Sequence, residues 1–524
     1  MIERAIENWL TKTNERNFHI PFCQVLLNSG HKIIYISPHR QMEQGKDVFT
    51  IAPDGEYCAY QLKTGDIDTA VWRKINGEIN ELIQLPFQHP EVDKQKQHKS
   101  FLVTNGVVKD EVRLQIRDIN EDNRTKNRNY SHLSFKDRDE LLGDFIDAQK
   151  KFLPVEIPDI KLYLELFLSN GRDLFPREKY FDFLTNTLFT AENAKQKANF
   201  KNAIGSSVIV TAYLLNNFQT AQNYTAIIEA WTLLYASLIQ YAKKNNADKP
   251  VWADSARLIL SEIAFNFEQL TKELDERKNL LEGVISGDGG IVYNARTTIL
   301  LGNLAAFENY KLTSDTAYKP STKLIDLIAK YKSNLWFWGE SAFPLFFNLI
   351  KFLESAGDHA AAQALLEEMS LDILIGNDRE KEEGAYAGVY NTPEELLGRY
   401  LLGKKELDYR QFAGSSHILY VLVLMLAKRN KKGFIAKYWK DISWFNLLEF
   451  VPADATDFFA YHTGKGSNNS SFPNQTQSWT ALVAEANDVS DISPLYTEFR
   501  AFIYLYINVC PHRVGKSLIK CLDS

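Results

Sequence analysis

The sequence Glu43–Gly65, EQGKDVFTIAPDGEYCAYQLKTG, decides the fold of the N-terminal part of the chain. Two β-rich segments, Asp47–Ala52 and Tyr57–Lys63, flank the turn sequence Pro53-Asp54-Gly55. Proline presets the first position of a type I turn, and glycine tolerates the left-handed bulge position that follows such a turn. The stretch therefore predicts a β-hairpin with a three-residue loop.

The loop length decides which side chains of the hairpin meet. With three loop residues Ala52 lies opposite Glu56, and counting back along both strands places Asp47 opposite Gln61. A two-residue loop at Asp54-Gly55 would instead pair Asp47 with Leu62, whose side chain points to the other face. Because strand side chains alternate, Gln61 and Lys63 share one face. We therefore expect a carboxylate, an amide and an ammonium group at one end of the hairpin.

Further elements on both sides of the hairpin predict an α/β domain with a mixed sheet flanked by helices. Asp68 is suited to cap a helix that runs to about Leu85, and Gly30 is suited to close the helix before the first strand. The predicted helices are Met1–Thr11, Pro21–Ser29, Lys109–Ile119 and Asp137–Lys150, and the other predicted strands are His31–Ser37 and Phe101–Thr104.

Prolines predict a domain boundary at 150–158, where Pro154 and Pro158 interrupt the pattern. The first domain is then 1–150. The remainder, 159–524, is expected to be all α, in one or two subdomains. Within it, Phe346–Met369 resembles a tetratricopeptide-like hairpin with a turn at Gly357-Asp358, so a helical-repeat array is one expectation. The polar stretch Gly464–Ser478 predicts a mobile loop.

Composition narrows the class of protein. The 524 residues are 45% hydrophobic, with a net charge of −6, which excludes a disordered chain and a globally basic nucleic-acid binder. The four cysteines include no CxxC pair, so a zinc ribbon is not expected. The polar N-terminus and the absence of an apolar run of about 20 residues predict a cytoplasmic protein without a membrane span.

The hairpin end carries the chemistry. A carboxylate from Asp47 and an amide oxygen from Gln61 are hard ligands suited to Mg²⁺, with Mn²⁺ as an alternative. Such a metal activates water and stabilises charge on a phosphate, and Lys63 can add a point charge to the transition state. The pattern indicates metal-assisted phosphodiester hydrolysis.

Asp47 followed by Gln61-Leu62-Lys63 resembles the PD-(D/E)XK nuclease superfamily in its Mrr-like restriction-endonuclease branch, where Gln-x-Lys often replaces Glu-x-Lys. The run Glu43-x-Gly45-x-Asp47 is similar to that branch's acid-x-Gly-x-Asp run. The resemblance covers roughly residues 1–150. It implies a Mg²⁺-dependent endodeoxyribonuclease of prokaryotic restriction or anti-phage defence, with Asp47, Gln61 and Lys63 catalytic and with Asp47 and Gln61 as metal ligands.

The resemblance leaves a further ligand open, because many members carry an acid on the helix before the first strand. Glu7, Glu15 and His19 stand near that place, and Glu43 is a fourth candidate. Gln61 is neutral, so the pattern departs from the acidic form of the motif.

Basic residues near the hairpin are candidates for contacts with DNA phosphates, although residues 1–150 carry 21 basic and 23 acidic side chains. A weakly charged domain of this kind needs recruitment, so we expect a protein partner or a homo-oligomer through the helical region. The candidates are Arg73, Lys74, Lys94, Lys96 and Lys99.

Three alternatives stay open. The chain could be a helical adaptor whose α/β domain binds nucleic acid or a protein partner without cutting it. It could act on RNA rather than on DNA. The α/β domain could also be inert, with Lys63 as a solvated strand end.

Overall fold

The computed structural model of the chain describes residues 2–37, 45–93, 96–149, 157–277, 281, 288–376, 388–393, 395–396, 414–461 and 466–523. The chain folds into two compact units, Met1–Asn266 and Phe267–Ser524. The boundary predicted at 150–158 falls mostly on residues outside these ranges. The predicted domains, 1–150 and 159–524, stay a prediction.

A five-stranded sheet lies in the first unit, which confirms the predicted mixed sheet, although the sequence predicts only four of its strands. Its spatial order β1-β2-β3-β4-β5 follows the chain. The pairs β1/β2 and β2/β3 are antiparallel, whereas β3/β4 and β4/β5 are parallel. The strands are β1 (Lys32–Ile36), β2 (Val48–Ile51), β3 (Tyr57–Lys63), β4 (His98–Thr104) and β5 (Leu133–Lys136).

Helices cover both faces of this sheet. The first unit contains α1 (Ile2–Lys12), α2 (Glu15–Asn28), α3 (Thr69–Gln84), α4 (Asp110–Thr125), α5 (Arg138–Gln149), α6 (Ile157–Phe167), α7 (Arg177–Phe183), α8 (Ala191–Ala194), α9 (Lys197–Leu214), α10 (Asn216–Thr220), α11 (Tyr224–Lys244) and α12 (Lys249–Glu276), which continues into the second unit. A π-helical turn, Leu184–Leu188, follows α7.

The two faces bury different residues. Ala59 of β3 belongs to a core with Trp72 of α3 and Val112 of α4. Tyr60 points to the other face, where its ring lies 5.3 Å from that of Phe22 on α2. Successive residues of β3 thus face opposite layers, which is the alternation that a buried strand requires.

Several predicted element limits are confirmed and others are wrong. Asp68 caps α3 by accepting a hydrogen bond from the Val71 amide at 2.8 Å, as predicted. The second helix begins at Glu15 rather than at Pro21, because Asn14 caps it and burial of its middle outweighs the single hydrogen bond that an internal proline removes. Strand β4 begins at His98, before the apolar run that indicated it.

The second unit is mainly helical but not all α, which corrects the prediction. A three-stranded sheet joins β6 (Ser415–Ser416), β7 (Asn446–Pro452) and β8 (Gly466–Ser471). Strand β8 reads GSNNSS and lies in the stretch predicted as a mobile loop. Its composition carries no hydrophobic alternation, so only its antiparallel pairing with β7 makes it a strand.

The helices of the second unit are α13 (Asp288–Ser314), α14 (Thr322–Tyr331), α15 (Phe343–Ser355), α16 (His359–Gly376), α17 (Leu419–Lys428), α18 (Lys432–Ile442), α19 (Trp479–Asn487), α20 (Pro494–Glu498), α21 (Arg500–Val509) and α22 (Lys516–Leu522). Short 3-10 turns span Lys332–Asn334, Glu340–Ala342, Ala455–Phe459 and Pro511–Arg513. The predicted helical hairpin is confirmed as α15 and α16, with Gly357 between them at φ +86°. A repeat array stays a prediction.

Candidate functional site

The β2–β3 hairpin has the predicted turn. The Ala52 amide donates to the Glu56 carbonyl at 2.8 Å, and Gly55 adopts a φ of +83°. Val48 pairs with Tyr60 in the observed register. The Asp47 amide also donates to the Tyr60 carbonyl, at 2.8 Å, so the ladder ends at Val48 and Tyr60, and the place of Asp47 opposite Gln61 stays a prediction.

Asp47 is held inside the protein at the start of this hairpin. Its side chain is almost fully buried, and its Oδ2 accepts a hydrogen bond from the Leu62 amide at 2.6 Å. Two residues earlier Gly45 has a φ of +65°, and a Cβ atom there would lie 2.3 Å from the Glu78 carbonyl oxygen of α3. A glycine is therefore needed where the chain approaches α3 before it reaches Asp47.

Gln61 presents a buried oxygen without a hydrogen-bond donor. The residue is 4% exposed, and within the described ranges its Oε1 has no hydrogen-bond partner. Gln61 pairs with Leu102 of the parallel strand β4, so its neighbour on that side is apolar. An unsatisfied buried oxygen costs free energy unless something else binds it.

Lys63 ends β3 as a partly buried cation between two acids. Its Nζ lies 2.8 Å from Glu78 Oε2 and 3.7 Å from Glu15 Oε2, and its side chain is 17% exposed. Burial alone lowers the pKa of Lys63, but the hydrogen bond with Glu78 and the charges of Glu15, Glu78 and Asp47 outweigh it and raise the pKa overall. Lys63 is therefore protonated at neutral pH.

Of the candidates for a further ligand, the structure brings Glu15 to Lys63. Glu7 is exposed on α1, and His19 is fully buried within α2. Neither makes a contact with Lys63 that matches that of Glu15 among the described residues. Glu43 lies outside the described residues.

A buried asparagine fixes the position of Glu15. Asn105, which follows β4, donates through Nδ2 to the carbonyls of Leu10 and Thr13 at 2.6 and 2.9 Å. Its Oδ1 accepts from the Gly65 amide at 2.8 Å, just beyond Lys63. Asn105 thereby ties the turn between α1 and α2 to the ends of the two central strands.

Sequence reasoning missed Glu78, the closest partner of Lys63. Glu78 lies on α3, whose existence was predicted, but the sequence does not give the angle at which a helix packs on a sheet. The only available signal was its position one helical turn after Lys74, a residue already singled out.

The predicted nucleic-acid-binding residues fall into two places. Arg73 and Lys74 are exposed on α3, on the turn before Glu78. Lys99 pairs with Cys58 at the start of β3, five residues or about 17 Å from Lys63. Lys96 binds the Gly55 carbonyl at 2.7 Å at that same far end. Lys94 lies outside the described residues.

The side-chain oxygen atoms at this end of the sheet are of the chemical type that binds a hard divalent cation. Asp47 accepts a hydrogen bond from the amide of Leu62, the residue after Gln61, and the buried Gln61 oxygen is a ligand that Mg²⁺ accepts. Within the part of the chain that the structure describes, no group of three or more His, Cys, Asp or Glu side chains is placed to hold a metal. The described side chains would thus supply only some of the ligands of a bound metal ion, and water or substrate oxygens would supply the remaining ligands.

Comparison of the chain with protein-family models, with curated proteins and with solved structures found no match. Across the described ranges, every helix is too short or too polar to cross a bilayer.

Proposed function

We propose that the sheet-bearing N-terminal part of this chain hydrolyses phosphodiester bonds of DNA with the help of a divalent metal ion. One observation carries the proposal. Among the described residues the buried Gln61 oxygen has no hydrogen-bond partner, at the strand end where Asp47 accepts from the neighbouring Leu62 amide and Lys63 supplies a cation. The resemblance of these residues to the PD-(D/E)XK superfamily supports the same reading.

Each residue of the candidate site would have a separate role in this reaction. Asp47, Gln61 and Glu15 would hold Mg²⁺ or Mn²⁺ through carboxylate and amide oxygens. The bound ion would activate water and offset charge on the phosphate. Lys63 is protonated, so it would contact a phosphate oxygen and stabilise the negative charge that grows on it. Its raised pKa argues against a role as general base.

The helical remainder would recruit or regulate this activity. The charge balance of residues 1–150 gives little general attraction to DNA, so a partner protein or a second copy of the chain would supply it. The resemblance points to restriction or anti-phage defence in the prokaryotic cytoplasm. Arg73 and Lys74 are the basic residues best placed to contact the DNA backbone.

A non-catalytic adaptor is the second candidate, and the ion pairs of Lys63 favour it. Glu78 and Glu15 already neutralise the ammonium group. In an adaptor this arrangement would only stabilise the end of β3, and Gln61 would bury its oxygen without any chemical use.

The test is cleavage of linear and plasmid DNA by the full chain with Mg²⁺, with Mn²⁺ and with chelator. Asp47→Asn keeps an oxygen for the Leu62 amide but removes the charge, so it should abolish cleavage while preserving the fold. Asp118→Asn is the matched control, because Asp118 is exposed on α4 and forms an ion pair with the neighbouring Arg117. Cleavage that persists in chelator or in Asp47→Asn would refute the proposal. DNA binding without cleavage in every metal would favour the adaptor.

A further inference from the structure

A cavity in the second unit has the size of a small-molecule site. It measures about 430 Å³, within the range of roughly 300–1,000 Å³ typical of ligand pockets. Helices α17 and α19, strand β7 and the segment after β8 form its walls. The polar strand β8, unpredicted from sequence, brings that segment over β7.

One carboxylate in this cavity is held in a fixed orientation. Glu485 Oε2 accepts hydrogen bonds from the Tyr420 hydroxyl at 2.7 Å and from Gln477 Nε2 at 3.1 Å. All three residues line the cavity. Both contacts use the same oxygen, so the carboxylate is oriented by its neighbours, and within the described ranges no cation forms an ion pair with it. Such a preorganised group is suited to bind a ligand donor.

His417, whose ring can also accept a hydrogen bond, lines the same cavity. The His417 main-chain amide donates to Glu340 Oε2 at 3.0 Å, and the ring Nδ1 lies 3.6 Å from the same oxygen. In the tautomer that is protonated on Nδ1, Nε2 is the hydrogen-bond acceptor. Nε2 is buried and has no hydrogen-bond partner among the described residues.

The charge balance of the lining excludes an anion as the preferred ligand. Two carboxylates, Glu449 and Glu485, face one ammonium, that of Lys516. Lys516 lies 3.7 Å from Glu449, so its charge is already offset. These three side chains together carry one net negative charge.

Aromatic and aliphatic side chains complete the walls. Phe472 lines the cavity and is 63% exposed, a large apolar side chain open to solvent. Tyr420 adds a second ring, and Val421 and Leu447 add aliphatic surface. Aromatic faces attract cations as well as apolar groups.

We propose that this cavity binds a small organic cation, with its protonated amine at Glu485 and its apolar body against Phe472. The amine would donate to the oriented carboxylate and to His417 Nε2. The site goes beyond the proposed nuclease activity and does not depend on it.

The test is direct binding of 2-phenylethylammonium to the full chain, measured by saturation-transfer NMR titration. Phenylacetate, which has the same ring with the opposite charge, is the comparison ligand. We expect saturable binding of the amine and at least about tenfold weaker binding of the acid. Equal or tighter binding of phenylacetate, or no saturable binding of the amine, would overturn the proposal.

Two variants locate the site. Glu485→Gln keeps an oxygen acceptor for Tyr420 and removes the charge, and it should weaken amine binding about tenfold or more. Phe472→Ala removes an exposed ring without a folding role and should weaken it several-fold. Glu368→Gln, an exposed change on α16, is the matched control and should leave binding unchanged. Unchanged binding in both cavity variants would place the amine elsewhere and refute the assignment.

Discussion

Replacing Asn105 by alanine should loosen the candidate site without touching its proposed chemical groups. The side chain is 3% exposed and makes three hydrogen bonds to main-chain groups, at 2.6, 2.8 and 2.9 Å. Each contributes about 1 kcal/mol net, and the orphaned buried groups add to the loss. We expect the α1–α2 turn and the Gly65 region to lose about 3 kcal/mol of local stability.

Hydrogen exchange read by mass spectrometry measures this loss where it occurs. A loss of 3 kcal/mol corresponds to roughly 150-fold faster exchange of amides that open locally. Peptides covering the start of α2 and the end of β3 should show it. Asn76→Ala is the control, because Asn76 is exposed on α3 and makes no hydrogen bond through its side chain among the described residues. Equal exchange in the two variants would refute the role assigned to Asn105.

Three further changes test packing, protonation and charge. Gly106→Ala would place a Cβ atom 2.1 Å from a main-chain carbon and should lower the free energy of unfolding by at least about 3 kcal/mol. Gly77→Ala has open space around it on α3 and should raise the free energy of unfolding by about 0.5–1 kcal/mol. Urea unfolding measures both, and the reverse order of the two stabilities would refute the close approach at Gly106. Burial lowers the pKa of His98 from 6.5 to about 4. As the pH falls below 6.5, the unfolded chain therefore binds this proton before the folded protein does. The free energy of unfolding should decrease by about 3 kcal/mol between pH 6.5 and pH 4. His98→Gln should lack this component in pH-dependent unfolding, and an unchanged pH dependence would contradict it. Glu78→Gln should lower the pKa of Lys63 and strengthen DNA binding about two- to fivefold, because a partly exposed ion pair contributes up to about 1 kcal/mol. Fluorescence anisotropy in the presence of chelator measures this binding. An unchanged affinity would show that Lys63 does not contact DNA.

The hairpin was predictable because its turn chemistry is local. Proline and glycine in Ala52–Glu56 fix the loop length, and the loop length fixes the observed register, in which Val48 pairs with Tyr60. None of these steps needs information from distant parts of the chain. The cap of α3 at Asp68 is local in the same way.

The rest of the site depends on packing that the sequence does not state. Glu78 reaches Lys63 only because α3 crosses the sheet at one particular angle. Glu15 reaches it from the start of α2, just after a turn that Asn105, ninety residues later in the chain, binds through hydrogen bonds. Strand β8 is polar and gains its structure from pairing with β7, so no periodicity in its own residues could reveal it.

The central claim is that the end of β3 performs metal-dependent DNA hydrolysis through Lys63. Single-turnover cleavage of a fluorescent DNA duplex by the full chain in Mn²⁺ tests it most directly, with Lys63→Ala beside Lys109→Ala. Lys109 is the matched control, an ion-paired and half-exposed lysine of the same unit, 3.0 Å from Asp66. We expect at least about a hundredfold slower cleavage in Lys63→Ala and a wild-type rate in Lys109→Ala. Equal cleavage rates in the two variants would contradict it.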